Sequence, residues 1–350
     1  MPEQDGRKVR LCIVGAGDMG ILRGIIAKGL PQYELVAIVE PKLHIRKIAS
    51  DQFKVPAYGG YGRAAKSEDF DAAFICTPTA THRELGLEVL ESRRHVYCEK
   101  PLAWKLAESR ELLGDALSSG VVHRIGYNFH FFPTFRKLKT LVKDGVLGDV
   151  TYVKGTGYSS EVVTPETSDE RKNREERFGF YGAVGVHVLE LMLWYGGAVE
   201  RVSAMKERRY SSTLDDFIGA VCRFRSGAHG LVDLTWSHHG YENPFIEIKI
   251  SGTNGTATVD ADRIRLSLAE PRGGYPEGDT LVRSTEVPLP SAFSFTGRGL
   301  SQEMEDLAAV ILDGAPNELP WEVGYAVDEF VEAIERGARG GRSVRLPLDV

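Results

Sequence analysis

A doubly wound α/β domain followed by an α+β domain is the fold that three features of the sequence predict. Short apolar runs alternate with helical patterns from Val9 to about Gly126, as parallel βαβ units require. Short apolar runs parted by Gly, Ser and Asn crowd residues 217–259, the pattern of antiparallel strands, and two helical patterns close the chain. A length of 350 residues suits two domains, with the boundary expected after Gly126: 1–126 and 127–350.

The strand-like runs of the first part are residues 9–14, 35–39, 72–76, 95–98 and 121–125. Between them, Glu84, Leu85, Leu87, Val89 and Leu90 show helical periodicity, and Gly or Pro marks several element ends. After Gly126 a helix-like stretch over 134–143 leads into a strand over 150–158. A polar run over 159–177 has almost no apolar residues and reads as a mobile surface loop. A helix is expected near 180–195, then strands over 217–224, 230–236, 245–250 and 256–259. Helices over 300–312 and 323–336 and an apolar tail over 343–348 complete the second domain. No repeat or flexible linker separates the parts, so they are expected to pack closely around a ligand cleft.

Composition excludes several functions. Lys and Arg total 43 against 49 Asp and Glu, a formal charge of −6, so nothing favours a nucleic acid partner, and a small molecule is expected instead. Cys12, Cys76, Cys98 and Cys222 lie in apolar runs without the paired spacing of a zinc site, and read as buried thiols. His238 and His239 are adjacent, and neighbouring strand residues point to opposite faces, so no metal is expected. The polar start of the chain and the lack of a run of roughly 20 apolar residues lead to the expectation of a cytoplasmic protein without membrane contact.

The sharpest local signal is Gly15-Ala16-Gly17-Asp18-Met19-Gly20, which follows a strand and opens a helix. The first glycine permits a tight turn, the second lets the backbone approach a pyrophosphate, and the third allows close contact between helix and strand. Helix N-terminal amides then face the anion. Gly15, Gly17, Asp18, Met19 and Gly20 are therefore expected to bind a dinucleotide. Glu40 ends the second strand roughly 20 residues on, where a carboxylate accepts hydrogen bonds from an adenosine ribose and repels a 2′-phosphate. NAD is expected ahead of NADP, although Lys42 follows and could reach a phosphate. Glu99-Lys100-Pro101 stands at the end of a later strand, where such folds place ligands. Beside an oxidised nicotinamide, like-charge repulsion and partial burial would lower the pKa of the Lys100 ammonium and ready it to exchange a proton with a substrate hydroxyl. The proline could fix the local turn through a cis bond.

Taken together with Cys76-Thr77-Pro78 and Thr81-His82, His95 to Leu102, Tyr127-Asn128-Phe129 and Gly185-Val186-His187, these motifs occur in the order seen in the Gfo/Idh/MocA oxidoreductases, which the chain resembles over nearly its whole length. The resemblance implies a Rossmann domain followed by a domain built on a large open, mainly antiparallel sheet that often serves dimer or tetramer assembly. It implies hydride transfer with NAD(P) on sugars, inositols and related polyols. Lys100 would be the proton-relay lysine and His187 the second acid-base residue, with Thr77 and Pro78 bordering the nicotinamide. Cys76, His82 and Glu99 would belong to the cofactor site, and Asn128 would face cofactor or substrate. His130, Tyr158, Tyr181 and Trp236 are further candidates for substrate contact, against the plainer reading that strand aromatics pack a sheet face.

One departure from the family pattern matters. Many members carry an aspartate one helical turn before the histidine, and here that position is Ala183. Positions four apart share a helix face, so His187 lacks the usual carboxylate, while Glu190 stands one turn later. Two other readings remain open: a glycoside-cleaving enzyme that retains NAD and works by transient oxidation and elimination, and a non-catalytic cofactor-binding sensor. Net NADH formation separates the first of these from a dehydrogenase.

Overall fold

The computed structural model describes residues 6–160, 163, 184–210, 215–241, 243–288 and 299–349. In chain order the strands are β1 (Val9–Val14), β2 (Tyr33–Val39), β3 (Ala57–Tyr58), β4 (Ala72–Ile75), β5 (His95–Glu99), β6 (His123–Gly126), β7 (Val150–Tyr158), β8 (Val199–Glu207), β9 (Phe217–Phe224), β10 (His229–Thr235), β11 (Phe245–Gly252), β12 (Gly255–Val259), β13 (Arg263–Leu268), β14 (Gly278–Arg283) and β15 (Val344–Arg345). The α-helices are α1 (Asp18–Gly29), α2 (Leu43–Phe53), α3 (Tyr61–Ser67), α4 (His82–Glu91), α5 (Leu106–Ser119), α6 (Pro133–Lys143), α7 (Val186–Gly196), α8 (Leu300–Asp313) and α9 (Trp321–Gly340). Among the described residues, no helix is long and apolar enough to cross a membrane.

The chain divides into two compact units, Met1–Phe131 with Pro290–Tyr325, and Phe132–Leu289 with Ala326–Val350. Sequence alone places a single boundary after Gly126. The structure instead returns α8 and the start of α9 to the first unit, a long-range association that hydrophobic periodicity does not encode.

In the first unit, β1 to β6 form a parallel sheet in the order β3-β2-β1-β4-β5-β6. Its strands are apolar on both faces, β1 and β4 nearly without interruption, as helices on both sides of a parallel sheet demand. Leu300, Met304, Leu307 and Ala308 of α8 join Leu11, Ile13, Leu35, Ile38 and Phe74 in one core. Burying each large apolar side chain there stabilises the unit by on the order of 2 kcal/mol. The Tyr33 hydroxyl donates to the Met304 carbonyl at 2.7 Å, and the Trp321 indole to the Arg124 carbonyl at 3.0 Å, so the returning segment is fastened by polar contacts as well.

The second unit is built on a nine-stranded sheet in the order β14-β13-β12-β11-β7-β10-β9-β8-β15. β7 and β10 pair in parallel, with Tyr158 opposite Thr235, and the remaining pairs are antiparallel. Alternation fixes the faces. Gly155 of β7 and Gly230 of β10 lie beneath Met192 of α7, so Lys154, Thr156 and Tyr158 point to the other face. That face carries the exposed Met205, Val221 and Leu281 and the buried Thr156.

Candidate functional site

The crossover at which the strand order of the first unit reverses lies between β1 and β4, the place where doubly wound folds leave a crevice outside the carboxyl ends of the strands. The glycine loop leaves β1 there. Gly15 adopts a φ of 98°, and a Cβ at this position would lie 2.8 Å from both the Cys76 carbonyl oxygen and Thr77 Cγ2. At Gly20 a Cβ would lie 1.8 Å from the Gly15 carbonyl oxygen. Gly17 is the N-cap of α1 and offers no capping side chain, and a Cβ on it would meet nothing within 4 Å. Gly17 and Asp18 are exposed, and Met19 is half-buried. The result is an uncapped helix N-terminus with open space before it, which suits a diphosphate.

Glu40 closes the other side of this loop. It is buried, and its two carboxylate oxygens accept from the Ala16 amide at 3.1 Å and the Lys42 amide at 2.9 Å. The carboxylate is thereby held still at the end of β2, with a second lone pair left on each oxygen. Lys42, considered from sequence as a side chain that could reach a phosphate, contributes its backbone amide to Glu40. Arg46 of α2 donates to the carbonyls of Glu40 at 2.8 Å and Pro41 at 3.1 Å, bracing the same turn.

Next along the sheet, the loop after β4 carries Cys76, Thr77 and Pro78. Cys76 is buried, and its burial raises its thiol pKa, so it is inert packing beneath Gly15. The Thr81 hydroxyl donates to Thr77 Oγ1 at 2.7 Å and to the Pro78 carbonyl at 2.8 Å, which makes the loop a closed unit. His82, the first residue of α4, is buried, with Nε2 at 2.9 Å from the Thr77 carbonyl and Nδ1 at 2.9 Å from the Pro101 carbonyl. Burial lowers its pKa, against the raising effect of the two carbonyls and of Glu99. The Lys100-Pro101 bond is cis, and Lys100 is half-buried at the end of β5.

Glu99 was expected at the cofactor. In the structure its Oε1 accepts from Arg23 Nε at 3.1 Å and Nη2 at 2.9 Å, and from the Tyr97 hydroxyl at 2.9 Å. Arg23 also pairs with Glu303 of α8, and no part of Arg23 is exposed. Burial pushes the Glu303 carboxyl above the usual range, with Arg23 opposing the shift and Glu99 adding to it. Sequence reasoning missed Arg23 and Glu303 altogether. The available signal was a charged residue at position 23 on the face of α1 that buries Gly20, Gly24 and Ala27.

His130, a candidate for substrate contact, is buried with Nε2 at 3.1 Å from a Glu318 carboxylate oxygen. Asn128 begins the 3₁₀ turn Asn128–Phe131 directly after β6.

In the second unit His187 and Glu190 are both buried on the first turns of α7. Tyr158 lies on the sheet face opposite α7. Its hydroxyl donates to Asp233 at 2.7 Å, and its ring stands 4.8 Å from His238 and 5.3 Å from Tyr241. The Trp236 indole is buried and donates to the Asp215 carbonyl at 3.2 Å. His238 and His239 follow the end of β10 and are not strand neighbours as the sequence suggested. Tyr181, Ala183 and nearly all of the polar run over 159–177 lie outside the described residues. Among the described residues, no group of three or more His, Cys, Asp or Glu side chains is disposed to hold a metal.

Comparison with known proteins matches this geometry to a family. Residues 9–127 match the oxidoreductase family with an NAD-binding Rossmann fold, and residues 135–258 match the GFO/IDH/MocA C-terminal domain. The uncharacterized oxidoreductase YrbE of Bacillus subtilis (strain 168) is 28% identical over 269 residues, which are 74% of this chain and 76% of YrbE. A trans-1,2-dihydrobenzene-1,2-diol dehydrogenase of Bos taurus is 27% identical over 316 residues, 87% of this chain and 89% of that enzyme. The solved structure of a levoglucosan dehydrogenase in complex with NADH superposes with a TM-score of 0.89 at 21% identity, covering 98% of this chain and 100% of that one. The glycine loop, the strand order and both family matches lead to one conclusion: the chain belongs to the Gfo/Idh/MocA oxidoreductases and carries their NAD-binding Rossmann fold.

Proposed function

We propose that the protein is an NAD-dependent dehydrogenase or reductase acting on a secondary alcohol or ketone of a sugar, inositol or related cyclic polyol. The observation that carries this reading is the amine of Lys100 at the carboxyl end of β5, in the same sheet as the glycine loop that leaves β1. The open amides at the start of α1 hold the diphosphate, and Glu40 holds the adenosine ribose. Thr77 and Pro78 flank the nicotinamide ring. Bound NAD supplies the hydride acceptor, or the donor when it is reduced. Lys100 Nζ takes the hydroxyl proton during oxidation and returns it during reduction. Asn128, directly after β6 in the same unit, orients the reacting carbinol, and His187, with Glu190 the acidic side chain nearest to it in sequence, is the second acid-base residue. The relatives named for a cyclic diol and an anhydrosugar support a hydroxylated ring as substrate.

The test is a screen of purified protein with NAD+ and NADP+ against sugars, inositols, sugar acids and cyclic polyols, read as net formation of reduced cofactor. Lys100→Ala is expected to lower kcat by about 10²–10⁴-fold while the protein still binds NAD+. Turnover of the active substrate at the wild-type rate in that variant would overturn the assignment. Assembly into a homodimer or homotetramer through the sheet face bearing Met205, Val221 and Leu281 belongs to the same proposal. A monomeric mass by sedimentation would refute that part.

A further inference from the structure

The carboxyl ends of β1, β4 and β5 are joined by a chain of contacts in which His82 is the middle member. Gly15 rests on Cys76 and Thr77, so the glycine loop and the loop after β4 touch directly. The Thr77 carbonyl meets His82 Nε2, the His82 Nδ1 meets the Pro101 carbonyl, and Pro101 is bonded to Lys100. The ring is 1% exposed, so no water competes for either nitrogen. Carbonyl oxygens only accept, and each contact is therefore a hydrogen bond when the facing nitrogen carries its proton. In a neutral ring one nitrogen donates to its carbonyl while the lone pair of the other faces a carbonyl oxygen at 2.9 Å, whereas an imidazolium donates to both. The loop after β4 is closed on itself by Thr81, so whatever holds Thr77 holds the whole loop.

We infer that His82 is a positioning residue that sets the placement of the Lys100 amine against the dinucleotide loop by bridging the backbone carbonyls of Thr77 and Pro101. The inference rests on the dehydrogenase reading for the part Lys100 plays, but the bridge itself does not. His82 touches neither reacting atom, and its effect passes through the peptide that precedes Leu102. Glu99 is held from the other side by Arg23 and Tyr97, so the residues flanking Lys100 are fixed at two points, Glu99 by those two side chains and Pro101 by His82. A proton-transfer group displaced by a fraction of an ångström loses rate without losing ligand affinity.

The experiment compares wild type with His82→Phe, which keeps a ring and removes both nitrogens, and His82→Gln, which keeps a donor. In folded His82→Phe, kcat is expected to fall about 10–100-fold while the NAD+ Kd and the KM for the alcohol stay within about threefold, with partial recovery in His82→Gln. In parallel, the rate at which an amine-acylating reagent modifies Lys100 is followed by mass spectrometry, and it is expected to change at least about threefold in His82→Phe. That second readout needs no turnover. If wild type oxidises nothing in the substrate panel, the dehydrogenase reading fails, and the acylation rate alone decides the role of His82. Wild-type values for both kcat and Lys100 acylation in folded His82→Phe overturn the inference. A lowered Tm with both values unchanged also overturns it, because it shows a purely structural part. Should His82→Phe not fold, His82→Leu carries the same comparison.

Discussion

Replacing Arg23 by methionine removes the guanidinium that faces both Glu99 and Glu303 in the interior of the first unit. Deleting one partner of a buried ion pair costs about 3–5 kcal/mol, because the other charge stays buried without compensation. The Tyr97 hydroxyl at 2.9 Å from Glu99 limits the loss on that side, while Glu303 is left more exposed to the penalty. The loss depends on pH, and its sign follows from Glu303. Its folded pKa already lies above the ordinary value, burial being the main cause, and Arg23 opposes that shift. Without Arg23 it rises further. A carboxyl whose folded pKa exceeds the unfolded value of about 4.3 contributes stability below that value and forfeits it as pH rises through the folded pKa. Arg23→Met is therefore expected to lose about 3–5 kcal/mol near pH 8, with a Tm lower by roughly 10 °C, and less than half as much near pH 5. Denaturant unfolding followed by circular dichroism at the two pH values measures this. Adding Glu303→Gln to Arg23→Met should recover about 1–3 kcal/mol near pH 8. A loss below about 1 kcal/mol at both pH values, or an equal loss at both, would refute the reasoning.

Gly20→Ala would place a Cβ 1.8 Å from the Gly15 carbonyl oxygen. Calorimetry should then show NAD+ affinity reduced by more than about 100-fold, and a change within threefold would contradict the assignment of the loop. Glu40→Ala removes the acceptor of the Ala16 and Lys42 amides and the charge that repels a 2′-phosphate. The preference for NAD+ over NADP+, measured as a ratio of Kd values, should fall about 10–100-fold, and an unchanged ratio would place cofactor choice elsewhere. Tyr158→Phe removes a hydroxyl bound to Asp233 on the face away from α7. It should cost about 1 kcal/mol of stability and leave kcat/KM within about twofold, so a large kinetic loss would return Tyr158 to the substrate.

The Rossmann half was legible because its signals are local. Strand periodicity, the glycine spacing and the acidic residue ending β2 each fall within a few residues, and Gly15, Gly20, Glu40, Thr77 and Lys100 gather at one sheet edge. Pairings between distant residues were not legible. Arg23 and Glu303 are 280 positions apart, and no spacing rule joins them. The same holds for the contact of His130 Nε2 with Glu318, 188 positions away. In the second unit, alternation revealed the strands but not their faces. The side on which Tyr158 lies, away from α7, follows only from Gly155 and Gly230 lying under Met192. Strands β13 and β14 went unread because charged residues such as Arg263, Arg265, Asp279 and Arg283 break up their apolar pattern.

The return of α8 to the first unit has a consequence for biosynthesis. A nascent chain that has just emerged through β6 has all six strands of the nucleotide-binding sheet, yet it lacks Glu303 for Arg23, Asp306 for Arg124 and the apolar residues that cover Leu11 and Leu35. Two buried cations and a bare hydrophobic flank must wait while some 170 further residues are translated. At about 5–20 residues per second, that delay lasts on the order of ten seconds. Chaperone dependence should accordingly be concentrated in this interval, and a fragment ending near Gly126 should be insoluble although it contains every strand of its sheet.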